Sequence, residues 1–496
     1  MGIFKVEYRY MDQMKDVSGD KKITPRAENY SEWYLDIISA AELADYSPVK
    51  GCMVIRPNGY QLWERVQSVL DAKFKDLGVV NAYFPMLIPE RLLTKEKEHV
   101  EGFAPEVAVV THAGGEKLEE PLVLRPTSET IIYETYKNWI HSYRDLPLLI
   151  NQWANVIRWE KKTKPFLRTT EFLWQEGHTV HLNNEESDSY ARKMLDVYKN
   201  FAEEYMAIPV VAGQKTESEK FAGALHTYTC EAMMQDGKAL QFCTSHNLGD
   251  HFAKAFDIQY LDESNTLQYG WQTSWGLSTR SIGGLIMAHS DDRGLVLPPK
   301  MAKLKIVIVP IINSENKDSV MVVVNDLKEK LIADSIIGNH GVNIDDRDLR
   351  PGDKYFWHEK RGVPIRIEIG PKDIANNQCV LVRRDTGEKI NTELVNVVET
   401  INLLLNTMQS DLLKKAENNL KEKTKEVSNW DDFVKEIENN NFVMAYYDGS
   451  PETEKLIKDT TGATVRCIPF NENPSDGICI KTGNPSKQRV LFARAY

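Results

Sequence analysis

Cysteine is scarce in this sequence: six residues in 496 (Cys52, Cys230, Cys243, Cys379, Cys467 and Cys479), with no CxxC pair among them. That argues against a disulfide scaffold and for reduced thiols in a cytoplasmic setting. Long apolar runs are missing too. The longest, near Ile306 to Ile312, is far too short to cross a bilayer, and the amino-terminal MGIFKVEYRY is too polar for a signal peptide. No membrane association is expected. Positive charge is not in excess either: the formal charge is −11, so any contact with nucleic acid must come from local basic patches. Repeats and low-complexity tracts are absent. What remains is 42% hydrophobic and 27% charged, the composition of a soluble globular protein, in a chain too long for one core. Two or three domains are expected.

The most informative stretch is Asn151 to His178, NQWANVIRWEKKTKPFLRTTEFLWQEGH. Val156, Ile157 and Trp159 suit one strand, and Phe172, Leu173 and Trp174 a second, around a long basic loop. Arg158 and Glu160 share a face by the strand period of two, with Lys161, Lys162, Lys164 and Arg168 following. Cations at a strand end suit a polyphosphate, and an arginine there can fork onto two phosphate oxygens. A solvated hairpin with a salt bridge across it is the plainer alternative.

Upstream, Tyr30 to Leu43 carries apolar residues at helical spacing behind a cap at Ser31, and the residues before about 25 read as a loosely held arm. A second amphipathic helix buries Leu62, Val66, Val69, Leu70 and Phe74 and stops at Gly78, before a strand from Val79 to Phe84. In LVLRPTSETIIYE a buried strand delivers Arg125-Pro126, and Thr127-Ser128-Glu129 reads as a helix cap. Alternation through Leu240, Phe242 and Thr244 predicts a strand, so Gln241 and the Thr244-Ser245-His246 corner converge on one face or its end. In the Ser274-Trp275-Gly276 turn, glycine permits close approach of backbone to a ligand. After Pro299 the pattern changes to about a hundred residues of mixed α/β with its own core. There Arg347, Arg350, Lys354, Arg361 and Arg366 interleave with Tyr355, Phe356, Trp357 and His358, as cations and aromatics do on unpaired bases. A charged helix from Asp411 to Val427 leads to a last segment of about seventy residues.

These strings jointly resemble the class II aminoacyl-tRNA synthetases. FLRTTEFLWQEGH narrows the resemblance to the prolyl-tRNA synthetase family, of the type found in archaea, eukaryotes and some bacteria. The resemblance implies an α/β multidomain chain: arm 1–24, a class II catalytic domain 25–302 built on an antiparallel sheet flanked by helices, a mixed α/β anticodon-binding domain 303–408, and a small α/β C-terminal domain 409–496. It also implies a homodimer through motif 1, the helix and strand ending at Pro85, and ATP, Mg²⁺, L-proline and tRNA(Pro) as partners. Arg158 would bind the α-phosphate and proline. Glu160 and Phe172 would bind adenine, with Gln241 and Thr244 nearby, and Thr169 and Glu171 would complete the ATP set. Arg168 and the motif 3 arginine, read as Arg293, would hold the outer phosphates; Arg158 and Arg293 are the expected catalytic pair. Thr127 and Glu129 would hold the substrate ammonium. Trp174 and Phe221 would wall the ring, with Glu176, His178, His246, Ser274 and Gly276 around it, although a structural role serves His178 equally well. Arg347, Lys354, Trp357, Arg366 and Glu368 would meet the anticodon.

Two features set limits within that family. Motifs 2 and 3 lie too close together for the editing insertion that many bacterial relatives carry there. Relatives of this type often hold a zinc with four cysteines near the C-terminus. Here Ala445 to Pro451 contains none, and Thr482 stands where the partner of Cys479 would be. No zinc is expected, and the segment would close by packing Phe433, Ile437, Phe442, Leu456, Ile457, Ile468, Phe470 and Phe492. The rivals are a synthetase-like tRNA-binding protein without charging activity, and a class II synthetase for threonine, serine or glycine.

Overall fold

The computed structural model describes residues 22–93, 107–338 and 340–496; the expected arm lies outside these, apart from its last three residues. The chain divides into two compact units. One comprises the described residues within 22–45, 55–59 and 290–406, the other those within 46–54, 60–289 and 407–496.

The second unit is organised on an eleven-stranded sheet. Its strands, in chain order, are β1 (Val80–Asn81), β2 (Leu148–Ile157), β3 (Glu171–His181), β4 (Val210–Gln214), β5 (His226–Met233), β6 (Ala239–Gly249), β7 (Trp271–Ser278), β8 (Thr424–Glu426), β9 (Phe442–Tyr446), β10 (Thr464–Pro469) and β11 (Arg489–Ala493). Across the sheet they run β8-β9-β11-β10-β4-β5-β6-β7-β3-β2-β1. From β10 to β2 every pairing is antiparallel. The predicted hairpin is β2 and β3, with Val156 opposite Phe172. The C-terminal strands therefore extend the catalytic sheet instead of forming a separate one, which the sequence did not suggest. β10 joins β4 through Ile468 opposite Gln214.

Helices cover the sheet. Asn184–Glu204 buries Ala191, Met194, Leu195, Tyr198 and Phe201, the stripe expected of a 3.6-residue period. The helix Pro57–Asp76 buries Leu62, Val66, Val69, Leu70 and Phe74 as predicted. Only Val80 and Asn81 of the strand expected after it are paired. Gly177 is obligatory for packing: a Cβ there would sit 2.1 Å from the indole of Trp275 on the neighbouring strand. In the C-terminal segment Phe433, Ile437, Phe442, Ile457 and Phe492 are buried, but Leu456 and Phe470 are 47% and 44% exposed and leave the expected core. Leu456 lies between the buried Thr453, Glu454 and Ile457, on the outward side of its helix.

In the first unit the helix Tyr30–Ala40 is capped by Asn29, not Ser31; the Asn29 side chain accepts from the N–H groups of Ser31 and Glu32. Residues 306–393 form a five-stranded sheet with parallel and antiparallel pairs, covered by the helix Lys317–Ile332. The helix expected at 411–427 starts earlier and ends sooner, as Val397–Lys423. No glycine or proline interrupts that span, so nothing in it breaks the backbone ladder.

Candidate active site

Strand register builds the site. Across β6, β7 and β3, His246 is opposite Ser274 and Ser274 opposite His178; one step along, Thr244 is opposite Gly276 and Gly276 opposite Glu176. Spacing by two puts Trp174, Glu176 and His178 on one face with Ser274, Gly276, Thr244 and His246. They line a cleft of about 270 Å³, together with Thr127, Glu129, Arg158, Phe172, Phe221 and Gln241. Of the residues expected to bind proline, the structure brings all ten together here.

The floor is a buried polar network. Glu176 accepts from Gln152 Nε2 at 2.8 Å and lies 2.9 Å from His178 Nε2, and Tyr133 Oη is 3.1 Å from His178 Nδ1. Ser128 does not cap its helix; its hydroxyl donates to Glu176. Burial pushes the Glu176 carboxyl up, but His178, Ser128 and Gln152 outweigh it and hold it below its usual range. His178 is thus the structural member of its two alternatives as well as a wall residue. His246 is pushed down to about 3, by burial first and the charge of His178 second, so it is a neutral ring at pH 7. Its Nδ1 lies 2.9 Å from Thr227 Oγ1. The Phe221 ring sits 4.7 Å from that of His246. Thr127 donates to Glu129, placing a hydroxyl and a carboxylate side by side. The Ser274 hydroxyl and Trp174 indole N–H are buried and have no hydrogen-bond partner among the described residues, as donors awaiting a ligand would be.

At the other end the cleft is cationic. The Arg158 guanidinium lies 5.5 Å from the Phe172 ring centroid and 5.6 Å from that of Trp174, and its Nε donates to Pro126 O at 2.9 Å. Arg280, which the sequence reading missed, lines the same cleft at the start of the helix Arg280–His289. Its Nε donates to Leu167 O at 3.1 Å. Enclosure, then Arg158 and Arg168, press its pKa down to about 10. The repulsion felt by Arg280 would be eased by an anion bound in the cleft. The signal in the sequence was its position, directly after the strand carrying Ser274 and Gly276.

Other expected residues are placed elsewhere. Glu160 and Arg168 pair with each other at 2.8 Å across the loop, Thr169 donates to the Glu171 carbonyl, and the Glu171 carboxylate accepts from Asn155. None of the four lines the cleft. Arg293 belongs to the other unit, where it pairs with Glu359 at 2.9 Å and donates to Arg384 O at 3.2 Å. In that unit Lys354 is buried and donates to Asp345 O, and Arg347 forks onto the Asp345 carboxylate at 2.8 and 2.7 Å. Arg361 and Arg347 lie 3.6 and 4.3 Å from the Trp357 ring centroid. Arg366 stacks on Tyr355 and pairs with Glu368. The interleaved cations and aromatics thus contact one another; Lys354 is structural, whereas Phe356 stands 64% exposed.

Residues 111–289 match the model of the tRNA synthetase class II core domain (G, H, P, S and T), and 305–404 that of the anticodon-binding domain. Residues 430–496 match the C-terminal domain of prolyl-tRNA synthetase. A proline–tRNA ligase of Chloroherpeton thalassium is 54% identical over 96% of this chain and 100% of its own. The chain belongs to the proline–tRNA ligases. A proline–tRNA ligase of Chlorobaculum tepidum is 55% identical over 96% of this chain and 99% of its own, and one of Prosthecochloris aestuarii 53% over 96% and 100%. The site is carried on an antiparallel sheet; its face is polar at one end and cationic at the other.

Proposed function

We propose that this chain activates L-proline with ATP and transfers it to the 3′ end of tRNA(Pro). The observation that carries this is the cleft itself: a hydroxyl-carboxylate pair for a secondary ammonium, a small aromatic enclosure, and arginines beyond it for phosphates. Thr127 and Glu129 accept the two N–H donors of proline, and Trp174, Phe221 and His246 enclose its ring. A neutral His246 suits an apolar ring better than a cation would. Arg158 lies where the substrate carboxylate and the α-phosphate meet. The carboxylate attacks the phosphorus, pyrophosphate departs, and Arg158 stabilises the negative charge that builds. We assign the outer phosphates to Arg280 and Arg168, moving the third arginine from Arg293 to Arg280. Phe172, Gln241 and Thr244 border the adenosine. Glu160 reaches adenine only after exchanging Arg168. The chemistry depends mainly on the placement of the two substrates.

Magnesium enters with ATP. No group of three or more His, Cys, Asp or Glu that could hold a metal is present among the described residues, so these offer no preformed cage. Homodimerisation fits the free edge of the large sheet at β1, beside Val80, Tyr83 and Leu87, which are 57%, 71% and 39% exposed. A cytoplasmic setting fits the six free cysteines. The string FLRTTEFLWQEGH is what favours the type found in archaea, eukaryotes and some bacteria. Exchange of pyrophosphate into ATP, measured with each amino acid in turn, tests the reading: proline should support it best, and threonine, serine or glycine doing so would displace it.

A further inference from the structure

Phe221 and Glu219, both in the cleft wall, lie on the eleven-residue connection between β4 and β5, residues 215–225. The first two residues of that connection are held from the C-terminal segment. Lys215, buried and also lining the cleft, donates to Glu231 Oε1 at 2.9 Å. Glu231 is fully buried, and its other oxygen takes Arg466 Nε at 3.0 Å and Nη2 at 2.8 Å. Burial raises the Glu231 carboxyl, but the charges of Lys215 and Arg466 outweigh it, so the ion cluster stays charged. Arg466 is itself steadied by Thr464 Oγ1 at 3.0 Å. Thr216 is tied separately: its hydroxyl donates to Glu454 Oε2 at 3.0 Å, from the helix Pro451–Thr461. Past these ties, Phe221 N donates to Thr227 Oγ1, whose other neighbour is His246.

We propose that the C-terminal segment is a brace for the substrate-side wall, and that Arg466 and Glu454 are positioning residues that set amino-acid selectivity through Lys215, Thr216 and Phe221. This rests on the reading of the cleft as a proline pocket. Two independent contacts, one an ion cluster and one a hydroxyl–carboxyl hydrogen bond, converge on consecutive residues at the root of the connection, and neither Arg466 nor Glu454 lines the cleft. A buried carboxylate with two cationic partners has little freedom to tilt. Removing either partner leaves the root of the wall without one of its fixed points, while Arg158, just past the end of β2, and Arg280, at the start of its helix, keep their own anchors on Pro126 O and Leu167 O.

The test is steady-state pyrophosphate exchange with the full chain, comparing wild type, Thr216→Val, Arg466→Met and Arg466→Lys. The expected result is a rise of roughly tenfold in the KM for proline in Thr216→Val and Arg466→Met, the scale of one lost charge-assisted or buried hydrogen bond. KM for ATP should stay within about twofold, and alanine should gain on proline in relative kcat/KM. Arg466→Lys, which keeps a cation against Glu231, should recover part of the proline KM. Thr216→Val preserves shape, so the proposal stays testable if Arg466→Met fails to fold. Unchanged proline KM in Thr216→Val, or equal losses toward proline and ATP, would overturn the brace. Failure of the wild-type chain to use proline would instead overturn the reading beneath it.

Discussion

Glu176 Oε2 and His178 Nε2 lie 2.9 Å apart, two residues along one strand, with both side chains almost wholly shielded from water. The pair ties the polar end of the cleft to the start of the neighbouring helix, because Glu176 also takes Ser128 and Gln152. Glu176→Ala would leave three buried donors unpaired. We expect a loss of about 3 kcal/mol in stability by denaturant unfolding, against about 1 kcal/mol for Glu176→Gln, which keeps one acceptor. Equal effects of the two substitutions would show that the network does not depend on the carboxylate.

Arginine chemistry separates the two ends of the cleft. Arg158→Lys should lower exchange about a hundredfold with stability almost unchanged, since a point charge cannot replace a two-pronged contact. Arg280→Lys should do the same, and Arg293→Ala should cost far less. Wild-type exchange in Arg280→Lys with a collapse in Arg293→Ala would return the outer-phosphate role to Arg293.

Acid should destabilise the fold earlier than carboxylate titration alone would. His181, His246 and His289 are buried, which pushes them down to about 4, 3 and 4 respectively. Between those values and the unfolded pKa near 6.5, the unfolded chain binds protons that the folded chain refuses, so stability falls as pH falls. Each histidine contributes up to about 1.4 kcal/mol per pH unit over that window. The melting temperature should drop steadily from pH 6.5 to 5; a flat profile there would mean that these rings are protonated in the fold.

Selectivity within the pocket has a limit set by size. The connection between β3 and β7 is occupied by strands and helices of the core itself, with no inserted domain among the described residues. A missing methylene is worth only about 1–3 kcal/mol, so alanine or cysteine should be activated detectably, and mischarged tRNA should persist. Rapid hydrolysis of Ala-tRNA by the purified protein would contradict this.

In place of four thiolates the C-terminal turn has Asp448. Its Oδ2 accepts from Thr482 Oγ1 at 2.7 Å, Asn484 Nδ2 at 3.0 Å and Thr453 Oγ1 at 3.2 Å, and Oδ1 from Ser450 N at 3.2 Å. Asp448→Ala should destabilise the segment by about 1–3 kcal/mol, and elemental analysis of the tag-free protein should find no stoichiometric zinc. One zinc per chain, lost together with folding on chelation, would show the opposite.

The sequence exposed what depends on periodicity and short-range pattern. The hairpin and the helix from Pro57 could be read because a strand alternates by two and a helix by about 3.6, whereas the grouping of Trp174, Glu176 and His178 came from the family resemblance. Long-range pairing could not. Nothing local in Thr464–Pro469 says that it joins β4, and nothing in Lys354 says that its ammonium turns inward to a carbonyl. Arg280 escaped notice because an arginine after Ser-Thr at a helix start has an ordinary surface appearance, whereas Asp292-Arg293 looks like a motif. The aromatic and cationic stretch at 347–366 was legible as composition, but which faces its own partners would cover was not.

Arg466 meets Glu231 across 235 residues of intervening chain. On a ribosome, β4 therefore emerges long before the strand that pairs with its outer edge, and the other unit's five-stranded sheet is made in between. Until then that edge presents open N–H and C=O groups, and Glu231 has lost one of its two cations. A nascent chain in this condition is a substrate for chaperones and an invitation to strand pairing between neighbours on a polysome. Closure of the amino-acid wall thus becomes a late event in synthesis, and fragments that stop before β10 should populate aggregates more readily than they populate a partly active enzyme.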